Sequence, residues 1–378
     1  MRYMGRCVPF VVISTAMWSF FVASSSGSTV ATGSSSYECR PLDTSIQPPP
    51  VAEFPGNSAA AIEESEKSDD FHAFCPSGEV PYSTAPPLVA SATFKVAPPG
   101  VPAAAPYGGR RGVSTKRHRG RSAKHAKEAR SNIGGYWYSW AEGYQNYIGG
   151  ENVNGLWIRQ SNEQPYIDYT KGSSQWPAHS LAQLWAIENG HTSCFSDVET
   201  GWIESYGLEG DVQPHLFIYA FDCGVGLGYV GKSSIPWVQY SSVVYPNSIL
   251  THNDTWHTYG VHLYNGNWWV YYDGQWVGYI PGSAWTRRFP VSLWNGEAGG
   301  EVETPEEITC TDMGWNGRYG SNPEAAMFNE VWYESINNGG EGKWAKMYPW
   351  NSDAQYTTGN WYQGIPGWQF RYGGPGWC

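Results

Sequence analysis

The chain has 378 residues, 41% apolar and 16% aromatic, with 21 tryptophans and a net charge of −11. That charge is unevenly divided: residues 1–109 carry 5 basic and 9 acidic groups, 110–130 carry 9 and 1, and 131–378 carry 9 and 24, giving −4, +8 and −15. The balance over the C-terminal part argues against nucleic acid as a partner, because phosphate contacts depend on a positive surface.

Arg2 and Arg6 precede an apolar run from Cys7 to Val22 and small residues from Ala23 to Ser28. This is the order of a signal peptide, expected over residues 1–27. The run falls short of the roughly 20 apolar residues a membrane span needs. The mature protein is therefore expected to be secreted into the extracellular space, with no membrane partner. Cys7 lies in that leader, which leaves six of the seven cysteines for an oxidising compartment to pair. Chain order favours Cys39 with Cys75, Cys194 with Cys223 and Cys310 with Cys378, although spacing alone leaves other connectivities open.

Residues 28–131 read as a pro-region: rich in Ser, Pro, Ala and Gly, poor in large apolar groups, and so expected to be largely irregular and pinned by its two cysteines. Within it the basic segment 110–130, with Arg110-Arg111 and Lys116-Arg117, reads as an exposed processing linker. A flexible arm for anionic polymers is the alternative.

Tryptophan marks the next boundary, since 20 of the 21 lie after residue 130. Residues 132–378 suit one all-β domain, an antiparallel β-sandwich, because short aromatic or β-branched runs alternate with polar residues between Gly-rich turns. Trp268 to Tyr272, turning at Asp273-Gly274 into Gln275 to Ile280, reads as a hairpin, since Asp-Gly tolerates the positive φ angles of a tight turn. Helical spacing is confined to a turn or two at Ala178 to Ile187 and at Glu324 to Phe328. More Trp and Tyr are present than one core absorbs, so some are expected to line a groove for an extended sugar or peptide chain.

No G-x-S-x-G elbow, H-E-x-x-H helix, Walker loop or paired C-x-x-C occurs. His257 and His262 are an odd number of residues apart, so on a strand they face opposite ways, and no metal site is expected there. Carboxylates remain. Glu199 in SDVETGWIE and Glu301 in WNGEAGGEVETPEE sit among Gly and Trp, a setting that lets a carboxyl lie desolvated in a cleft.

These segments resemble the neprosin family of secreted glutamic peptidases of prolyl endopeptidase type. HSLAQLWAIENG is similar to the strand ahead of its first glutamate, and Val198-Glu199-Thr200-Gly201-Trp202 resembles its V-E-x-G-W motif. LEGDVQPHLFIY, GNWWVYYDGQWVGYIP, Gly299-Gly300-Glu301-Val302, Thr311-Asp312-Met313-Gly314 and the stretch from Tyr372 follow in the family's order. One departure is the stretch after LFIY, where the family carries a local disulfide and this chain has only Cys223. The resemblance implies a monomeric β-sandwich endopeptidase without cofactor or metal, acting at acidic pH on proline-rich peptides or proteins, with its own pro-segment as inhibitor. Carried over, the catalytic pair is Glu199 and Glu301, one acting as base and the other as acid. Trp202, Trp269 and Trp294 are candidates to hold a prolyl ring.

Two alternatives stand beside this. Glu301-Val302-Glu303-Thr304-Pro305-Glu306 imitates the E-x-D-x-x-E strand of sandwich-fold glucanases, although Glu303 replaces the central Asp and Pro305 interrupts the strand. A lectin-like sandwich binding glycans without catalysis is the other. Asn253-Asp254-Thr255 is a glycosylation sequon.

Overall fold

The computed structural model describes residues 30–32, 35–50, 73–83, 136–144, 153–167, 178–188, 196–222, 228–233, 235–285, 293, 295–303, 311–314, 317–335, 342–345, 348–351, 356–359, 362–364 and 367–374. The expected leader, the basic linker, Trp294 and the pairs Cys194–Cys223 and Cys310–Cys378 lie outside the described residues.

The strands in chain order are β1 (Val30–Thr32), β2 (Ser35–Pro41), β3 (Glu79–Ser83), β4 (Tyr136–Tyr144), β5 (Val153–Asn162), β6 (His179–Glu188), β7 (Ser196–Glu204), β8 (His215–Phe221), β9 (Gly228–Tyr229) and β10 (Val238–Gln239). There follow β11 (Asn253–Tyr264), β12 (Asn267–Tyr272), β13 (Gln275–Ile280), β14 (Asn295–Glu303), β15 (Met327–Ser335), β16 (Gly342–Trp344), β17 (Tyr348–Asn351), β18 (Thr357–Thr358), β19 (Tyr362–Gly364) and β20 (Gly367–Gly373). A four-residue helix α1 (Tyr206–Glu209) links β7 to β8.

Two antiparallel sheets carry the domain. One has seven strands in the order β17-β4-β14-β6-β7-β8-β9; the other has ten, running β10-β13-β12-β11-β5-β15-β20-β18 with β16 beside β15 and β19 beside β20. Their facing surfaces share one apolar core, in which Ala182, Leu184, Val198, Trp202, Leu216 and Ile218 of the first sheet meet Leu156, Ile158, Tyr259, Val261 and Val270 of the second. This is the face-to-face packing of a β-sandwich.

The expected hairpin is β12–β13: Asp273 and Gly274 sit at φ 38° and 80°, and Tyr272 pairs with Gln275 across the turn. Positive φ at both central residues matches the right-handed twist of the flanking strands. Two other expectations change. Ala178 to Ile187 is not helical but belongs to β6, and Glu324 to Phe328 is a turn leading into β15. The reason in β6 is burial on both faces: Leu181, Trp185 and Ile187 are buried outward while Ala182, Leu184 and Ala186 are buried inward. A strand covered on both sides gives a continuous apolar run that spacing does not separate from a helix.

Within the N-terminal region β1, β2 and β3 form a small antiparallel sheet, closed by the expected Cys39–Cys75 disulfide. It docks on the loop between β10 and β11. The Tyr37 hydroxyl donates to the Pro246 carbonyl, the Asn247 amide donates to Tyr37 Oη at 3.2 Å, and the Phe74 N–H donates to the Ser242 carbonyl at 3.3 Å. The Tyr37, Phe74 and Tyr245 rings pack edge to face around this contact.

Candidate active site

The outer face of the seven-stranded sheet collects the acids, and the register explains how. Side chains alternate along a strand, and residues directly paired share a face. β14 pairs Glu297 with Trp185, Gly299 with Gln183, Glu301 with Leu181 and Glu303 with His179. On the far side of β6, Glu199 of β7 pairs with Trp185 and Gly201 with Gln183. Asp197, Glu199, Glu297, Glu301 and Glu303 therefore point the same way, away from the intersheet core. Each is at most 2% exposed.

Gln183 stands at the centre, one row along β6 from Glu199 and one row the other way from Glu301. Diagonal neighbours across antiparallel strands lie about 7–8 Å apart at Cα, within reach of long side chains. On both sides of Gln183 the same row holds glycine, Gly201 and Gly299. No side chain therefore stands beside Gln183 in that row on either neighbouring strand, and Phe217 follows in register beyond Gly201. Glu199 and Glu301 are two strands apart and their rows lie four residues apart along β6, so Gln183 stands between them on the diagonal.

Their environments differ. Burial, reinforced by the carboxylates of Asp197, Glu301 and Glu297, pushes the Glu199 carboxyl well above the usual range. Among the described residues neither Glu199 oxygen has a hydrogen-bond partner, and the Gln183 amide is the neighbour that favours its charged form. Burial likewise raises Asp197 well above the usual carboxylate range. Tyr219, paired with Glu199 across β7 and β8, has its phenol raised well above 10 by burial and then by Glu199, Asp197 and Glu301. Glu301 by contrast has donors at both oxygens: His179 Nε2 lies 3.2 Å from Oε1, and the Gln183 amide donates to Oε2 at 3.5 Å.

The structure thus brings the two predicted glutamates onto one face, and it removes two of the predicted tryptophans from it. Trp202 is fully buried in the intersheet core, three residues from Glu199 and hence on the opposite face. Trp269 packs with Trp276 and Tyr279 on the outer face of the other sheet. The aromatic rings beside the acids are instead Phe217, Tyr219 and Tyr229, all buried and packed with Leu181 and Ile203. Sequence reasoning did not single out Gln183, His179 or Asp197. The signal for Asp197 was present as a period of two from Glu199, whereas Gln183 and His179 come from another strand.

Among the described residues no group of three or more His, Cys, Asp or Glu side chains is arranged to hold a metal ion. His257 turns to Asp273, its Nδ1 lying 2.5 Å from Oδ2, while His262 points out of the other sheet toward Glu334.

The model of the neprosin family matches residues 177–375, which spans β6 through the last strand and includes both glutamates. The chain belongs to the neprosin family. Membership supports a peptidase-type hydrolase. A β-porphyranase from the human gut bacterium Bacteroides plebeius is similar at 10% identity and a TM-score of 0.20, over 40% of this chain. The chain spans about half of that enzyme, 52% of its length, and the likeness carries no argument about chemistry.

Proposed function

We propose that this chain is a secreted glutamic endopeptidase that cleaves beside proline at acidic pH, with Glu199 as the acid and Glu301 as the base. The observation that carries this reading is the asymmetry of the pair: Glu199 is buried and pushed toward its neutral form, while Glu301 has His179 and Gln183 within hydrogen-bond distance, one at each oxygen. A carboxyl kept neutral donates a proton; a carboxylate steered by donors accepts one.

In this scheme a peptide lies across the row of Gly201, Gln183 and Gly299 with its scissile carbonyl near Gln183. Glu301 takes a proton from a water, which attacks the carbonyl carbon. The Glu199 hydroxyl hydrogen-bonds the developing oxyanion, and the Gln183 amide supplies a second donor to it. Collapse of the tetrahedral intermediate breaks the C–N bond, and the leaving nitrogen receives its proton from Glu199. Phe217 and Tyr219, next to Gly201 and Glu199, supply flat apolar surface for a prolyl ring and take over the part first given to tryptophan. The pro-region, anchored through Tyr37 and Phe74, serves as the inhibitor released by cutting at 110–130.

The test is digestion of a proline-containing quenched peptide at roughly pH 3 to 5 by protein cut at the basic linker, beside Glu199→Gln and Glu301→Gln. Turnover abolished in both variants is the expected result. Unchanged turnover in either variant removes that glutamate from the mechanism. Retained binding with no turnover in the wild type moves the assignment to a binding protein.

A further inference from the structure

His179 opens β6, and the register sets it directly opposite Glu303, with Glu301 one row further along β14. A carboxylate therefore stands at each ring nitrogen: Nε2 lies 3.2 Å from Glu301 Oε1, and Nδ1 lies 3.4 Å from Glu303 Oε2. All three side chains are at most 4% exposed. Nε2 makes a hydrogen-bond contact with Glu301, while Nδ1 stands at ion-pair distance from Glu303; a neutral imidazole carries one N–H and an imidazolium two, one toward each acid. Two buried negative charges also favour the positive ring by direct Coulomb attraction.

β4 sets Tyr138 opposite Glu301 and Tyr136 opposite Glu303. From β7 the neighbour of Leu181 is the apolar Ile203, and Ser205 donates to the Ala178 carbonyl. Lys232 and His215 are engaged by Glu209 at the end of α1, at 3.0 and 3.7 Å. Among the described residues on this face, Glu297, Glu199 and Asp197 are acids and Tyr219 is a phenol, so these bring no positive charge.

We infer that His179 is a positioning residue, an imidazolium clamped between Glu301 and Glu303 that fixes the Glu301 carboxylate so that its other oxygen faces Gln183. The inference rests on reading Glu301 as the base. Glu303 holds the ring from behind, so its removal loosens the clamp while leaving both reacting glutamates in place. Glu301–His179–Glu303 is thus a carboxylate–imidazole–carboxylate chain feeding the base, the arrangement by which a second acid orients a histidine and the histidine orients what lies beyond it.

The test has two arms. The first is NMR titration of the histidine ring Cε1–H signals in the full-length chain, with His179 assigned by the peak lost in His179→Asn. The expected His179 midpoint lies well above the ordinary value of about 6.5, is unmoved by Glu199→Gln, and falls by about one unit or more in Glu301→Gln and in Glu303→Gln. A wild-type midpoint at or below the ordinary value, or one that neither substitution moves, overturns the clamp. The second arm measures peptide hydrolysis by Glu303→Gln and Glu303→Asp: kcat falls by about tenfold in the first with KM little changed, as for an interaction realised in the transition state, and the second recovers part of it. An unchanged kcat overturns the positioning role. A wild type without turnover refutes the peptidase reading, and the titration still decides whether the ring is clamped.

Discussion

Gly201 gives the sharpest handle on the row of Gln183. A Cβ added there points onto the face that bears Glu199 and Gln183, and it would lie 1.9 Å from the Ala182 carbonyl oxygen, 2.6 Å from Gln183 Cα and 2.8 Å from the Ala182 carbonyl carbon. These atoms are backbone, so no side-chain rotation relieves the contact; β7 must move away from β6 by more than an ångström. Overpacking of this kind costs about 1–3 kcal/mol, and for a domain of this size each kcal/mol lowers Tm by about 2–4 °C. Gly201→Ala is therefore expected to melt about 3–10 °C below the wild type. The same displacement carries Glu199 away from Gln183, and misplacement by an ångström costs on the order of a hundredfold in rate. The assay is a thermal melt followed by near-ultraviolet circular dichroism, paired with kcat/KM at 25 °C on protein that is still folded. A Tm within a degree of the wild type with full turnover refutes the close approach of β6 and β7 at this point.

Stability should fall as pH rises from about 6.5 to about 8, and the His262–Glu334 pair shows why. Burial pushes Glu334 up to about 8 and His262 down to about 4. Between about 4.5 and 6.5 the two contribute opposite slopes, because the folded chain keeps the Glu334 proton that the unfolded chain releases while it lacks the proton the unfolded histidine binds. Above 6.5 only the glutamate slope remains, worth about 2 kcal/mol up to pH 8, so Glu334→Gln should flatten the denaturant midpoint over that window, and an unchanged profile refutes it. Tyr37→Phe removes the hydroxyl that meets Pro246 and Asn247, and is expected to speed proteolysis of the β1–β3 segment several-fold without changing the melt of the sandwich. Opening Cys39–Cys75, which closes a separation of 36 residues, should cost that segment about 3–4 kcal/mol and release it to limited proteolysis; equal protection of reduced and oxidised chain would count against an independent anchoring role.

How much was legible in the sequence depends on where each element's instructions lie. The β12–β13 hairpin was legible because its turn is written locally: Asp273-Gly274 demands positive φ, and the flanking residues alternate. β6 was not, because its faces are covered by two different layers and the alternation vanishes into a continuous apolar run. The site divides in the same way. Glu199 and Glu301 stood out by their glycine- and tryptophan-bounded settings and by likeness to a family, yet the polar groups that make the two glutamates chemically unequal, Gln183 and His179, sit on a third strand more than a hundred residues from Glu301. No local pattern links them; register does.

Register also explains why tryptophan misled and glycine did not. From Glu199, an offset of three puts Trp202 in the core and an offset of two puts Gly201 in the row of Gln183. In the row of Gln183 both neighbouring strands carry glycine, whereas the next row sets Trp185 between Glu199 and Glu297. Most of the described tryptophans lie between the sheets or on the outer face of the larger one, while the acid-bearing face combines five acids and one glutamine with two glycines and the buried Trp185. Composition alone reports the first population and hides the second. The parity of a residue's offset from Glu199 therefore decides whether it shares the acid-bearing face, whatever its aromatic character, and Phe217, in register with Gly201, is a ring that this rule places there.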